Sequence, residues 1–253
     1  MKKYKIIFQH PAIAHYRAEL FRLLYKSPDI EIKLILNREN TLYPAAKVSD
    51  SFPGTTVLDT DNNKGWRKQL FHVQMKSDYD CIIATLPISL PSILALIATF
   101  IRRKPLILWS ETWQKFGDPA KNKPAPVYWL KNLLYKFIVR SASALLVPGT
   151  SAKEFHIQSG VKPEKIFIAN QSTSPFPFCE AENIHIRPKE SFEKILLFSG
   201  RLMKLKGTDL VIKAFARVEG KLENLRLVII GDGPCADECR NLIDDLKLQN
   251  IEF

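Results

Sequence analysis

The sequence alternates between strand-like and helix-like segments along most of its 253 residues. Residues 30–36 carry an apolar side chain at every second position, which is typical of a strand with one buried face. Segments such as residues 16–25 instead space their apolar residues as one face of a helix does. Because strand–helix–strand units build parallel sheets with helices on both faces, this alternation predicts an α/β fold with doubly wound sheets.

A change in composition and apolar pattern divides the sequence into two parts. Residues 171–193 contain three prolines, three serines and no regular apolar period, which is typical of a linker. We therefore predict a first domain over residues 1–172, a linker over residues 173–193 and a second domain over residues 194–253. The first domain has a complete series of strands and helices. The second begins a new series that stops within a strand, so we expect an incomplete Rossmann-like domain.

The net charge of +11 lies entirely in the first part of the chain. Residues 1–180 hold 25 Lys and Arg against 14 Asp and Glu, whereas residues 181–253 hold 12 of each kind. Such an excess attracts lipid headgroups or nucleic acid, and a solvated basic surface would explain the same count.

The segment Val127–Arg140 contains aromatic residues and three cations but no acid, which is typical of interfacial helices. A helix packed on the sheet with extended lysine stems is the alternative. Together, charge and segment favour binding to an anionic membrane surface.

Several classes of protein are disfavoured. The sequence has no Gly-rich fingerprint after the first strand and no P-loop, which counts against a dinucleotide-binding first domain and a P-loop hydrolase. Four cysteines and no signal-peptide pattern indicate a reducing, cytoplasmic setting. Cys235 and Cys239 lack further ligands nearby, so we predict no metal site. The apolar run Ile88–Ile101 is shorter than the ~20 residues that cross a bilayer.

The most informative motif opens the second domain. A strand ends at Gly200, a loop carries Arg201 and Lys206, and a helix begins near Thr208. Free N–H groups at a helix start attract anions. Arginine can donate two parallel hydrogen bonds to a phosphate, and lysine adds a compact positive charge. This combination suits a diphosphate, and a plain basic turn is the alternative.

These residues carry a resemblance. The stretches 198–215 and 226–234 resemble the retaining glycosyltransferases of family 4, the glycosyl transferases group 1, which have the two-domain GT-B fold. Residues 148–153 and 160–166 resemble the end of that family's acceptor domain, and residues 15–21 resemble its first loop and helix. The resemblance implies transfer of a sugar, with retention of configuration, from a nucleotide-sugar to a lipid-linked or glycan acceptor, with no further cofactor.

The resemblance also assigns residues on the donor side. It implies that Arg201 and Lys206 hold the donor diphosphate. It further implies that Gly231, Asp232 and Gly233 form a turn beside the donor nucleotide. A tight strand-to-helix turn would explain those three residues equally well, because Pro234 suits a first helical position.

The chain departs from the family pattern in two ways. The family's Glu-x7-Glu motif lies further along the second domain than Phe253, so we expect a truncated chain that is inactive alone. The loop after the strand Leu106–Trp109 carries Glu111 where many members carry His or Asp. We predict that Glu111 is catalytic and orients the acceptor hydroxyl; the alternatives are a cap or an ion pair with Lys115.

The first βα loop supplies the remaining candidates. His15 and Arg17 are predicted to contact the acceptor; for Arg17 the alternative is a pair with Glu19 or with a solvated neighbour. His10 is expected in the same loop, within reach of the acceptor. For both histidines, an exposed loop position without a role is the commoner case.

Two other functions remain open at this stage. A sugar-nucleotide epimerase on the same architecture would need acidic and histidine groups around the sugar. A basic nucleic-acid-binding protein would use the charge of the first domain. The neutral second domain and the lack of a recognition motif argue against nucleic acid as a partner.

Overall fold

The computed structural model describes residues 3–39, 41–42, 46–85, 87–112, 125–171 and 194–253. The chain divides into two compact units, Met1–Glu180 and Ala181–Phe253. The predicted linker over residues 173–193 lies outside the described residues.

Strands and helices alternate through the first unit, as the sequence predicts. Its strands are β1 (Tyr4–His10), β2 (Ile30–Leu36), β3 (Thr41–Leu42), β4 (Ala46–Lys47), β5 (Thr56–Val57), β6 (Cys81–Thr85), β7 (Leu106–Trp109), β8 (Ala144–Val147) and β9 (Ile166–Ile168). Its helices are α1 (Ala18–Lys26), α2 (Val48–Ser51), α3 (Trp66–Lys76), α4 (Leu90–Arg102), α5 (Ala125–Ser141) and α6 (Thr150–Gln158). Within the described ranges, no helix is both long enough and apolar enough to cross a membrane.

Among the described residues of this unit, seven strands form one parallel sheet in the order β5-β2-β1-β6-β7-β8-β9. The chain runs outward from β1 to β2 and β5, then returns to β6 and continues to β9. This reversal makes the space beside the carboxyl ends of β1 and β6 a topological switch point, where open α/β sheets bind ligands.

The two faces of the sheet have separate cores. On one face, buried residues of α3, α4, α5 and α6 pack against the strands, with Tyr135 and Leu108 among them. On the other, Phe21 of α1 and Val48 of α2 pack around Phe8 and Trp109. Helices therefore cover both faces, and the predicted doubly wound α/β class is confirmed.

The second unit repeats the pattern on a smaller scale. Its elements are β10 (Lys194–Ser199), α7 (Thr208–Ala216), β11 (Leu225–Ile230), α8 (Ala236–Asp245) and β12 (Ile251–Glu252). The strands pair in parallel in the order β10-β11-β12, and residues of α7 and α8, such as Ile212 and Cys239, form the core with β11.

The first strand corrects one expectation. β1 includes Gln9 and His10, because both stay in register with Ile35 and Leu36 of β2. His10 is therefore the last residue of a central strand and is 7% exposed, so the expectation of an exposed loop histidine is wrong.

Candidate active-site cleft and phosphate loop

The first unit has a cleft at the carboxyl ends of β1, β6 and β7. Its volume is about 510 Å³. The residues that line it come from the ends of these strands and the loops that follow them: His10, Pro11, Arg17, Thr85, Pro87, Ile88, Ser89, Trp109, Glu111 and Thr112. The cleft thus lies at the switch point of the sheet and contains two of the predicted site residues, Arg17 and Glu111.

An ion pair joins these two residues. Arg17 Nη2 donates to Glu111 Oε1 at 2.5 Å, and the Arg17 guanidinium lies 5.0 Å from the ring centre of Trp109. Gln171 donates to the same carboxylate oxygen at 2.6 Å and accepts from Arg17 at 3.2 Å. Because the Arg17 side chain is only 14% exposed and the Glu111 side chain is 52% exposed, the arginine lines the wall while the carboxylate faces the opening.

The environment of Glu111 keeps it ionised. Partial burial is the largest single effect and acts to raise its pKa, but the hydrogen bonds from Arg17 and Gln171 and the charge of Arg17 together outweigh it, so the pKa lies below its ordinary value. An ionised carboxylate accepts a hydrogen bond from a hydroxyl, yet a lowered pKa makes it a weak base.

His10 is held neutral beside this pair. Burial, followed by the nearby Arg17 charge, lowers its pKa to about 4. Arg17 Nη1 lies 3.2 Å from His10 Nε2, and because a guanidinium has only donors, Nε2 must accept. The histidine therefore carries its proton on Nδ1 and supports the position of Arg17.

A buried polar chain supports the loop that carries Glu111. Ser110 Oγ lies 3.3 Å from the Tyr135 hydroxyl and accepts from Thr112 N at 3.4 Å. The Tyr135 hydroxyl also lies 3.3 Å from the ring nitrogens of His156, whose pKa burial lowers to about 4. The chain fixes the residues on both sides of Glu111.

The structure decides between some of the alternatives for these residues. Glu19 pairs with Arg22 at 3.2 Å, while Arg17 pairs with Glu111, so the Arg17–Glu19 alternative is wrong. Lys115, the alternative partner of Glu111, lies outside the described residues. His15 begins a short 3₁₀ turn before α1, His15–Arg17.

Sequence reasoning missed the partners of the predicted residues. Arg17 and Glu111 are 94 positions apart, and Gln171 lies 60 positions after Glu111. The sequence signal that could have joined them is their position after strands. Residues that follow the carboxyl ends of strands in one parallel sheet meet at one edge of that sheet.

A second, apolar cavity lies between α1 and the sheet. Its volume is about 710 Å³, and it shares Arg17 and Trp109 with the cleft. Apolar side chains of α1 and of the strands, such as Leu20, Ile83 and Leu146, make up most of its lining. The polar cleft therefore has mostly apolar space next to it.

In the second unit, Arg201 and Lys206 lie on the loop between β10 and α7. Both side chains are exposed. Residues Lys204–Lys206 form a 3₁₀ turn, and Gly207 takes the N-cap position of α7. The predicted arrangement of a strand end, a basic loop and a helix start is thus present in the structure.

The loop after β11 packs directly against this basic loop. Leu202 N donates to Asp232 O at 2.9 Å, and Cys235 N donates to Leu202 O at 2.9 Å. A Cβ atom on Gly231 would lie 1.9 Å from Gly200 O, and one on Gly233 would lie 2.4 Å from Leu202 O. Glycine is therefore required at both positions by the close approach of the two backbones.

Comparison with known proteins bears on this second unit. Residues 180–253 match the family model described as glycosyl transferases group 1. The matched segment contains both the basic loop and the glycine-rich turn.

A relative matches most of the chain. An uncharacterized glycosyltransferase of Methanocaldococcus jannaschii, MJ1069, is 25% identical over 83% of this chain and 54% of its own length. The chain thus spans about half the length of this relative.

Solved structures define the fold. The lipopolysaccharide outer core galactosyltransferase WaaB matches with a TM-score of 0.62 and 18% identity, over 98% of this chain and 66% of that one. HepE of Anabaena, in complex with UDP and glucose, matches with a TM-score of 0.57 and 16% identity, over 99% and 68%. A putative UDP-N-acetylglucosamine 2-epimerase from Listeria monocytogenes matches with a TM-score of 0.60 and 16% identity, over 100% and 69%. The fold is GT-B-like, and it is shared by transferases and epimerases.

Proposed function

We propose that the chain is the acceptor-side domain and the beginning of the donor-side domain of a retaining glycosyltransferase of family 4. The observation that carries the proposal is the match of residues 180–253 to the glycosyl transferases group 1 model, which includes the basic loop with Arg201 and Lys206. The donor is a nucleotide-sugar, and HepE, a structural neighbour with UDP bound, supports this class of ligand.

On the donor side, Arg201 and Lys206 bind the diphosphate. Exposed cations at the start of α7 add to the positive end of the helix, and both favour an anion there. As the sugar–oxygen bond breaks, negative charge grows on the diphosphate. Fixed cations that stabilise this leaving group lower the barrier. Gly231, Asp232 and Gly233 form the turn beside the nucleotide.

On the acceptor side, Glu111 orients the attacking hydroxyl. Its carboxylate accepts the hydroxyl's hydrogen bond, while Arg17 and Gln171 fix the carboxylate's position. Since its lowered pKa makes Glu111 a weak base, the departing diphosphate takes the proton. Attack then occurs on the face that the diphosphate leaves, which gives retention, and no other cofactor or metal ion is required. Arg17 and His15 contact the acceptor.

The acceptor is a lipid-linked saccharide or a glycan. The apolar cavity that shares Arg17 and Trp109 with the cleft supports the lipid-linked form, because it offers apolar space beside the polar cleft. The charge excess of residues 1–180 supports a location at the anionic cytoplasmic face of a membrane.

An epimerase is the second candidate function, because a protein named as an epimerase matches at a TM-score of 0.60. The two functions differ in their need for an acceptor: an epimerase changes its nucleotide-sugar without one.

Product analysis by NMR tests the proposal. The intact protein is incubated with UDP- and GDP-sugars, with and without a polyprenyl-linked saccharide. We expect a new glycosidic bond only when the acceptor is present, with the anomeric configuration of the donor. An inverted anomer would exclude retention, and an epimerised nucleotide-sugar without acceptor would establish the second function instead.

A further inference from the structure

The solvent-facing side of α5 is apolar. Among its described residues, Trp129, Leu130 and Phe137 are exposed by 67%, 60% and 63%, and Leu133 and Leu134 by 49% and 37%. The opposite side of the same helix, with Ile138 and Val139, is buried against the sheet. A surface helix of a globular protein normally presents polar residues to water, and the outer side of α5 departs from that pattern.

The neighbouring helix α4 shares this property. It packs on the same face of the sheet and contacts α5. Near its end, Phe100 is 84% exposed, Ile101 is 56% exposed and Ile97 is 43% exposed. We call the exposed apolar residues of α4 and α5 together the α4–α5 apolar surface.

The two helices that form this surface carry cations and no acids. Neither helix sequence contains Asp or Glu. Lys136 and Arg140 on α5 and Arg103 at the end of α4 are exposed. Anionic lipid headgroups attract such cations when they lie near the membrane surface.

We propose that the α4–α5 apolar surface docks on an anionic lipid bilayer, with Trp129, Phe137 and Phe100 entering the headgroup region. Apolar side chains with adjacent cations suit the boundary between acyl chains and anionic headgroups. The proposal narrows the membrane location given above to one surface, and it does not depend on glycosyl transfer.

A second copy of this chain fits the surface less well than a bilayer does. In a two-fold dimer formed through α4 and α5, the α4–α5 apolar surface of one copy packs against the same surface of the other copy. The cations of one copy would then meet cations of the other, with no acid on either helix to pair with them. A bilayer with anionic lipids supplies the negative charge that a dimer lacks.

Vesicle binding tests the proposal directly. The chain is sedimented with vesicles of phosphatidylcholine that contain about 30% phosphatidylglycerol, and Phe137→Glu is compared with Leu210→Glu. Leu210 is a matched control because it is an apolar helix residue, 65% exposed on α7, and Phe137 is 63% exposed. We expect Phe137→Glu to reduce binding at least tenfold and Leu210→Glu to change it less than twofold. Purely phosphatidylcholine vesicles should bind weakly, and salt should release most of the protein.

Quenching by bromine-labelled acyl chains locates the contact. The fluorescence of Trp129 should be quenched when the protein is bound to vesicles. In Trp129→Phe this part of the fluorescence quenching should be absent. Equal loss of binding in both glutamate variants, or binding that leaves Trp129 unquenched, would overturn the proposed surface while leaving a purely electrostatic membrane location intact. A concentration-dependent dimer that Phe137→Glu dissociates, without vesicle binding, would assign the surface to a second copy.

Discussion

At the scale of single residues, the cleft is organised around Arg17. Its guanidinium contacts His10, Glu111 and Gln171, which come from the end of one strand and from the loops after two others. The sequence predicted Arg17 and Glu111 as site residues because both follow strand ends, but it gave no reason to join them. Ion pairs between distant residues depend on which strands become neighbours, and spacing along the chain does not contain that information.

Replacement of Glu111 by glutamine tests the orienting role. Glutamine keeps the shape and removes the charge. Since Glu111 is about half exposed, loss of its ion pair should cost less than about 1 kcal/mol of unfolding free energy. In the intact protein we expect kcat to fall at least tenfold with the melting temperature nearly unchanged. Full activity in Glu111→Gln would exclude the role.

The buried histidines predict a pH dependence of stability. His10 and His156 have pKa values of about 4 in the folded chain, below the ordinary value of 6.5. The unfolded chain therefore binds these protons first as the pH falls. Stability is complete above pH 6.5 and is lost between pH 6.5 and pH 4, by at most about 3 kcal/mol for each histidine.

Denaturation at pH 7 and pH 4.5 measures this loss. His156→Gln should show a smaller loss between the two pH values than the unchanged chain. His72→Gln, on an exposed position of α3, is the control and should match the unchanged chain. The same pH dependence in both variants would mean that His156 does not contribute.

At the scale of elements, the apolar pattern predicted the alternation of strands and helices. The bounds of β2 and β7 agree with the prediction because each is a short apolar run between clear breaks. The small pair β3–β4 was not predicted, since two-residue strands leave no period to detect. His10 was misplaced because the pairing of β1 with β2, a tertiary contact, extends the strand beyond its apolar run.

The interlocked loops of the second unit predict a strong glycine requirement. Gly231→Ala would force its Cβ against Gly200 O, so the two loops must separate. We expect a loss of several kcal/mol from the second unit, the scale that a steric clash at a packed backbone causes. Gly149→Ala is the control because a Cβ atom at that position would meet nothing within 4 Å. Thermal unfolding of both variants compares them, and an equal melting temperature would contradict the requirement.

At the scale of the whole molecule, the two units differ in charge. The first carries the entire excess of positive charge together with the cleft, and the second is neutral overall with a local basic loop. This difference in charge is visible in the sequence, because charges can be counted along the chain. For the α4–α5 apolar surface, the sequence indicated only the α5 part, through the aromatic and basic segment Val127–Arg140. The α4 part was missed because the apolar pattern of a helix does not show which of its apolar residues face the solvent.

The central claim is that Arg201 stabilises the diphosphate as it leaves. The most direct measurement is kcat/KM of the intact protein with its nucleotide-sugar, for Arg201→Ala and for Arg217→Ala. Arg217 is an exposed arginine at the other end of α7 and serves as the matched control. We predict a loss of about 10²- to 10³-fold for Arg201→Ala, as expected when one fixed charge donor is removed. We predict less than about a twofold change for Arg217→Ala. A loss of less than about threefold in Arg201→Ala would contradict the claim.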